Sequence, residues 1–173
     1  MHEDIYIFEN NEYLIPTVDL FFKRWIGEPI KNTFGGKPLI NYEGVPMFAE
    51  LAIQRMAVLD GWSARWVCTY SAHKNNPYFL VNWLDKALDE QKIEPIKDTN
   101  VQSLMEKIAR ENDNSFAGCW DVFVWNSTKV CFLESKRLKK DGLRETQLCW
   151  LKAGLSAGLT INNFLIVQWD FKN

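Results

Sequence analysis

The stretch GCWDVFVWNSTKVCFLESKR, Gly118–Arg137, decides the fold. Two apolar runs flank a polar segment around Ser127 and Thr128, which predicts a β-hairpin. With a loop of either two or four residues, paired residue numbers sum to 255, so Asp121 lies opposite Glu134. Side chains alternate along a strand and opposite residues share a face, so Lys136 joins them. The hairpin therefore predicts two carboxylates and one ammonium gathered on one face.

Such a cluster of charges is expected to destabilise the folded protein. Like charges opposite each other destabilise a sheet, and partial burial removes their solvation. Lys136 offsets part of this repulsion. A divalent cation would offset more, and Mg²⁺ typically binds one or two carboxylates together with water and substrate phosphates. The hairpin alone allows two interpretations: a metal clamp, or charges on an edge strand that block aggregation.

Composition excludes several classes of protein. The chain has 173 residues, of which 47% are hydrophobic and 14% aromatic, which predicts one globular domain over residues 1–173. Its four cysteines are far apart and form no CxxC pair, which favours reduced thiols and a cytoplasmic location. The N-terminus lacks the pattern of a signal peptide, and no apolar run approaches the ~18 residues of a membrane span. Two histidines and no glycine-rich phosphate loop argue against histidine-based and P-loop chemistry.

Periodicity along the chain predicts an α/β fold with a mixed sheet flanked by helices. A short amphipathic helix is expected over Thr17–Gly27, within a turn-rich N-terminal extension of residues 1–45. A second helix over Met47–Gly61 precedes a strand over Trp62–Tyr70. Residues 71–116 are then expected to form a helical insertion with two helices around Pro95. After the hairpin come a helix that ends at Gly158 and a closing strand, NNFLIVQWDF.

The spacing D121-x12-E134-S-K136 resembles the core motif of the PD-(D/E)XK, or restriction-endonuclease-like, nuclease superfamily. The stretch FAELAIQRMAVLDGWSARWV resembles the superfamily's first helix and strand, with Glu50 at the position of its helical glutamate. GCWD is similar to the GxPD motif of the VRR-NUC subfamily, with Trp120 in place of proline. RETQLCWL and NNFLIVQW resemble the following helix and closing strand. The resemblance covers residues 45–70 and 118–171, and leaves out the N-terminal extension and the insertion.

The resemblance implies a core of order αβββαβ and metal-dependent cleavage of DNA that leaves 5′-phosphate and 3′-hydroxyl ends. It implies that Mg²⁺ or Mn²⁺ is held by Asp121, Glu134, the main-chain carbonyl of Ser135 and, directly or through water, Glu50. Lys136 would orient or deprotonate the attacking water, or stabilise the pentavalent phosphorus. Gln147 would support Lys136 or touch the DNA backbone. Without the resemblance, Glu50 and Gln147 fit ordinary solvated residues of helix surfaces.

Charge is unevenly distributed along the chain. Residues 129–152 hold seven basic and three acidic residues, a local balance of +4 in a chain of net charge −2. The segment KRLKKDGLR lies between the hairpin and the following helix, where a phosphate backbone could approach. The residues predicted to contact nucleic acid are Arg137, Lys139, Lys140 and Arg144. The alternative is an ordinary solvated loop.

The function predicted from the sequence is a Mg²⁺- or Mn²⁺-dependent deoxyribonuclease that acts on DNA, with no membrane association. One alternative is a subunit of the same fold that binds nucleic acid or assembles with protein without cleaving. A second is a DNA-processing subunit, in restriction, recombination or repair, that depends on a protein partner or a second copy of the chain. Endonuclease and exonuclease action both remain open, as does the structure of the DNA substrate.

Overall fold

A computed structural model describes residues 1–172 and has one mixed sheet of nine strands. The strand order is β4-β3-β2-β9-β8-β7-β5-β6, with β1 paired to β2. Strand β9 runs parallel to both β8 and β2, and the other neighbouring pairs are antiparallel. The strands are β1 His2–Phe8, β2 Asn11–Arg24, β3 Ile40–Tyr42, β4 Val45–Met47, β5 Ser63–Cys68, β6 Tyr78–Leu80, β7 Val122–Trp125, β8 Val130–Arg137 and β9 Phe164–Phe171. The α-helices are α1 Ala49–Leu59, α2 Thr99–Glu111 and α3 Glu145–Ser156. The predicted α/β class with a mixed sheet is confirmed.

Helices cover both faces of the sheet because the central strands are apolar on both sides. Alternate residues of β7 and β8, such as Phe123 and Phe132, pack with α2 and α3 in the larger core. Their neighbours, such as Val122 and Leu133, pack with Ile53 of α1 on the other face. All four residues of β7 are buried. The hairpin is therefore a central element and not an edge, so blocking aggregation does not explain its charges.

The hairpin has the predicted register. Val122 pairs with Leu133 and Val124 with Cys131, so paired numbers sum to 255. Asn126 closes a four-residue turn, donating its N–H to the carbonyl of Lys129 at 2.9 Å, while its side-chain oxygen accepts from the Thr128 and Lys129 N–H groups. Asp121 lies one residue before β7 and so comes next to Glu134.

Two expectations about the remaining segments were wrong. Thr17–Gly27 is not a helix, because residues up to Arg24 belong to β2, which pairs with β1, β3 and β9. The N-terminal extension thus builds one side of the sheet. Backbone pairing overrides the weak helical period there.

The expected insertion of residues 71–116 contains α2 but not the first of its two predicted helices. Tyr78–Leu80 pairs instead with β5 as β6, and Leu88–Glu90 forms a single 3₁₀ turn. Trp83 packs against Phe48 and Trp66 at centroid distances of 5.3 and 5.8 Å. The amide of Gln91 donates to the carbonyls of Leu84, Lys86 and Ala87, satisfying backbone groups that a helix would have paired.

All four cysteines are free thiols. In the part of the chain that the structure describes, no helix has the length and apolar character needed to cross a membrane.

Candidate active site

A cavity of about 610 Å³ opens where β7 begins and β8 ends, and we call it the carboxylate cavity. Strand β8 supplies Glu134 and Lys136, the loop before β7 supplies Asp121, and α1 supplies Glu50. These three carboxylates come from three different elements, and Asp141, on the turn after β8, is a fourth acidic residue that lines the cavity. The other four residues are the ones that the sequence predicted to act together.

Glu134 is the most buried of these acids, with 1% of its surface exposed. Its carboxylate lies 3.0 Å from Nζ of Lys136. Gln147 donates from Nε2 to Glu134 Oε1 at 2.5 Å, and the backbone N–H of Asp121 donates to Oε2 at 3.2 Å. Both oxygens of this buried carboxylate therefore have a partner, as burial of a polar group requires.

Gln147 is a buried residue, not the surface amide that the helix pattern by itself favours. Its Oε1 accepts hydrogen bonds from Nζ of Lys136 and from the backbone N–H of Arg144, both at 2.9 Å. Arg144 is the residue that precedes α3, so the same oxygen caps the helix. Cap and strand together fix the orientation of the amide, and the amide fixes the ammonium of Lys136.

Asp121 is held at the cavity wall by one backbone hydrogen bond. Its Oδ2 accepts from the N–H of Ser135 at 3.1 Å. Burial and then the negative charge of Glu50 raise the pKa of Asp121, against the attraction of Lys37 and Lys136. The two lysines therefore do not offset the combined effect of burial and the charge of Glu50 on this pKa.

The pKa of Glu134 is raised in the same way as that of Asp121. Burial, followed by the charge of Asp121, raises the pKa of Glu134 to about 8 although Lys136 favours the ionised form. A buried carboxylate with a like-charged neighbour gains from a further cation. Burial and the charge of Asp121 together therefore outweigh the attraction of Lys136 for the ionised form of Glu134.

Glu50 is buried in the first turn of α1 and forms an ion pair with Lys37. Burial disfavours the charge of Lys37, but Glu50 and Asp121 outweigh this and raise the pKa of Lys37 above its ordinary value. Sequence reasoning missed Lys37, because it lies in the loop between β2 and β3, outside the resemblance. Its only local signal is the preceding Gly35–Gly36 turn, which carries no information about chemistry.

Among residues 1–172, no three His, Cys, Asp or Glu side chains are gathered as a metal centre. Glu50 is bound by Lys37, and Glu134 is bound by Lys136 and Gln147. The donor chemistry still fits a hard cation, since carboxylate oxygens are the ligands that Mg²⁺ prefers. The hydroxyl of Ser135 accepts from Nε1 of Trp169 at 3.1 Å, so its side chain is already committed.

The predicted nucleic-acid contacts divide into two groups. Arg137, Lys140 and Arg144 line the carboxylate cavity, whereas Lys139 is exposed on the turn after β8 and does not line it. Arg137 is partly committed elsewhere, because its Nε lies 3.4 Å from Asp170 and its guanidinium lies 5.0 Å from the ring centroid of Phe171. Lys140 and Arg144 are the exposed cations of this wall.

The loop before β7 is pressed against the start of α3. Gly118 has a φ of +78°, and a Cβ there would lie 1.9 Å from the backbone oxygen of Thr146. Trp120 is fully buried and donates from Nε1 to the backbone oxygen of Gln147 at 3.1 Å. Trp120 thus ties the loop that carries Asp121 to the helix that carries Gln147.

Comparison with known protein families, with characterised proteins and with solved structures finds no match for this chain.

Proposed function

We propose that the protein is a metal-dependent nuclease that hydrolyses DNA phosphodiester bonds. The observation that carries the proposal is the buried network of Glu134, Lys136 and Gln147 beside Asp121. A purely structural core gains little from such a set, since replacing a buried ion pair with apolar residues is often neutral or stabilising. With β6 and α2 set aside as an insertion between β5 and β7, the elements α1, β5, β7, β8, α3 and β9 follow the αβββαβ order of a restriction-endonuclease-like core, which supports the resemblance.

Asp121, Glu134 and the main-chain carbonyl of Ser135 would hold Mg²⁺ or Mn²⁺, with Glu50 as a further ligand. Bound there, the cation would activate water and neutralise charge on the phosphoryl group. Binding of Glu50 to the cation would compete with its ion pair with Lys37.

Lys136 is the residue that acts on the reacting atoms in this proposal. Its Nζ already has Glu134 and Gln147 as fixed partners, so its position does not depend on the substrate. From there it orients the attacking water or stabilises charge on the phosphoryl oxygens. Gln147 is a positioning residue, and Lys140 and Arg144 bind the flanking backbone phosphates.

A second candidate is a nucleic-acid-binding or assembly subunit that does not cleave. The pairing of Glu50 and Glu134 with lysines favours it, because both acids are partly neutralised without a metal ion. The basic residues of the carboxylate cavity, Arg137, Lys140 and Arg144, could bind nucleic acid in either candidate. A requirement for a protein partner or a second copy of the chain is compatible with either.

Cleavage of linear, branched and circular DNA in Mg²⁺, Mn²⁺ or EDTA tests the proposal. We expect cleavage in either metal and none in EDTA. Lys136→Met should slow cleavage by about 10²–10⁴-fold while binding at low salt survives. Lys97→Met, a change at an exposed lysine before α2, is the control. Binding with no cleavage in any metal would favour the second candidate, and undiminished cleavage by Lys136→Met would remove Lys136 from the mechanism.

A further inference from the structure

A second cavity, of about 720 Å³, adjoins the carboxylate cavity, and we call it the aromatic cavity. The two cavities share Lys37, Asp121 and Arg144 as lining residues. A ligand that fills one therefore lies directly beside the other. The volume falls within the ~300–1,000 Å³ of sites that hold small organic groups.

One wall of the aromatic cavity is a cluster of three aromatic rings. Phe34 makes edge-to-face contacts with Trp66 at 5.8 Å and with Tyr70 at 5.9 Å between ring centroids. Trp66 is buried in the core, whereas Tyr70 has 69% of its surface exposed. Tyr70 thus presents a ring to the solvent, although aromatic side chains usually bury theirs.

The other notable property of this cavity is its charge. Lys37, Lys74 and Arg144 line it, against Asp121 as the one acidic residue among those that do. Lys74 and Arg144 are exposed. Exposed aromatic rings beside cations form the usual surface for single-stranded nucleic acid, because bases stack on the rings while the cations bind the phosphates.

We propose that the aromatic cavity binds an unpaired nucleobase next to the phosphate held in the carboxylate cavity. The inference rests on the proposed function and adds the substrate class: DNA that is single-stranded, or has a displaced nucleotide, at the position of cleavage. A base inside a duplex is stacked on its neighbours, and only an unpaired or flipped base can enter a recess of this kind. The shared wall of Lys37, Asp121 and Arg144 then lies between the base and its phosphate.

The test is binding measured in EDTA, where cleavage plays no part. Fluorescence anisotropy compares a thymidine 12-mer with a 12-mer of abasic nucleotides, which keeps the phosphates and lacks the bases. We expect the wild type to bind the thymidine strand more tightly than the abasic strand. Tyr70→Ala should weaken thymidine binding by roughly tenfold and leave abasic binding unchanged. Tyr70→Phe, which keeps the ring, should bind like the wild type.

A melting curve for each variant checks that it folds, and the exposure of Tyr70 predicts little change. Equal binding of both strands by the wild type, or unchanged thymidine binding by Tyr70→Ala, would overturn the inference. Preference for the matched duplex over the single strand would overturn it as well. Base-dependent binding without cleavage in Mg²⁺ or Mn²⁺ would disprove the proposed function and leave only the base-binding role of the aromatic cavity. Cleavage without base-dependent binding would disprove this inference and leave the proposed function in place.

Discussion

Lys136 donates a hydrogen bond to Oε1 of Gln147 at 2.9 Å, although the two residues lie on different elements, β8 and α3. The same oxygen accepts the N–H of Arg144 at the start of α3. A lysine side chain has four rotatable bonds and is usually mobile. Here a helix cap holds its ammonium, so the fold itself orients the group that the proposed chemistry needs.

Asp121→Asn separates a metal clamp from a structural ion pair. Asparagine keeps an oxygen to accept the Ser135 N–H and removes one charge from the repelling set. We expect a higher melting temperature in EDTA, by about 2–4 °C for a gain on the order of 1 kcal/mol. Wild type should gain about 2.7 kcal/mol in Mn²⁺ at a hundredfold excess over Kd, and the variant much less. A lower melting temperature in EDTA with equal responses to Mn²⁺ would make Asp121 structural.

Glu134 gives the metal-free protein a distinctive pH dependence. Its pKa is raised to about 8 in the folded state from an ordinary value of 4.5, so between these values the folded state binds a proton that the unfolded chain does not. Stability from this residue is therefore full below about pH 4.5 and falls as the pH rises towards 8, by up to about 1.4 kcal/mol per pH unit. Denaturant unfolding of Glu134→Gln from pH 5 to 8 should show a shallower fall than wild type. Glu106→Gln, on the exposed side of α2, should follow wild type, and parallel curves for all three proteins would contradict the prediction.

Lys37→Met tests whether this lysine stands in for a metal ion. Without Lys37, Glu50 is buried beside Asp121 with no cation, so we expect a loss of about 3 kcal/mol in EDTA, the low end for a broken buried pair because the Lys37 side chain is 33% exposed. Since the metal no longer competes with Lys37 for Glu50, Mn²⁺ should stabilise this variant more than wild type. Lys31→Met, at an exposed position of the same loop, is the control. If Mn²⁺ stabilises the variant no more than it stabilises the wild type, Lys37 does not compete with a metal ion for Glu50.

Gly118→Ala tests the close contact that positions Asp121. The new Cβ would meet the backbone of Thr146 in addition to the strain of a positive φ. Gly61→Ala has a φ of +86° and open space, so it reports the backbone strain alone, about 1–2 kcal/mol. We expect chemical denaturation to show a further loss of about 1–3 kcal/mol for Gly118→Ala, and a weaker Mn²⁺ response. Equal losses at the two glycines would mean that the loop shifts freely.

Charge reversal at Lys139 and Lys140 tests whether the basic segment binds phosphates. The double variant should weaken binding to all DNA sequences alike and reduce the slope of log K against log salt by about one unit for each phosphate no longer bound. Since Lys140 lines the carboxylate cavity and Lys139 does not, the single change Lys140→Glu should account for most of the effect. Reversal of Lys92 and Lys97, exposed residues before α2, changes the net charge equally and should leave the slope in place. If the slope of log K against log salt is unchanged in the Lys139 and Lys140 variant, the segment is an ordinary solvated loop.

The sequence alone determined the hairpin and the helix and strand after it. Alternating apolar residues and a short polar turn fix a register locally, and register brings Asp121, Glu134 and Lys136 to one face. The C-terminal ends of α1 and α3 agree with the predicted stops at Gly61 and Gly158, where φ is positive, whereas α1 begins at Ala49 because Met47 pairs in β4. These features depend on neighbours in the chain, and local pattern reports them well.

Only the tertiary structure decided the rest, because those features depend on residues that are distant in the chain. Thr17–Gly27 has an ambiguous period, and pairing with β9 made its first part a strand. Residues 78–92 lost their predicted helix to the edge of β5 and to the packing of Trp83. Lys37 reaches Glu50 across a loop that no local pattern orients. The aromatic cavity, too, exists only where Phe34, Trp66 and Tyr70 meet, and sequence spacing does not predict that contact.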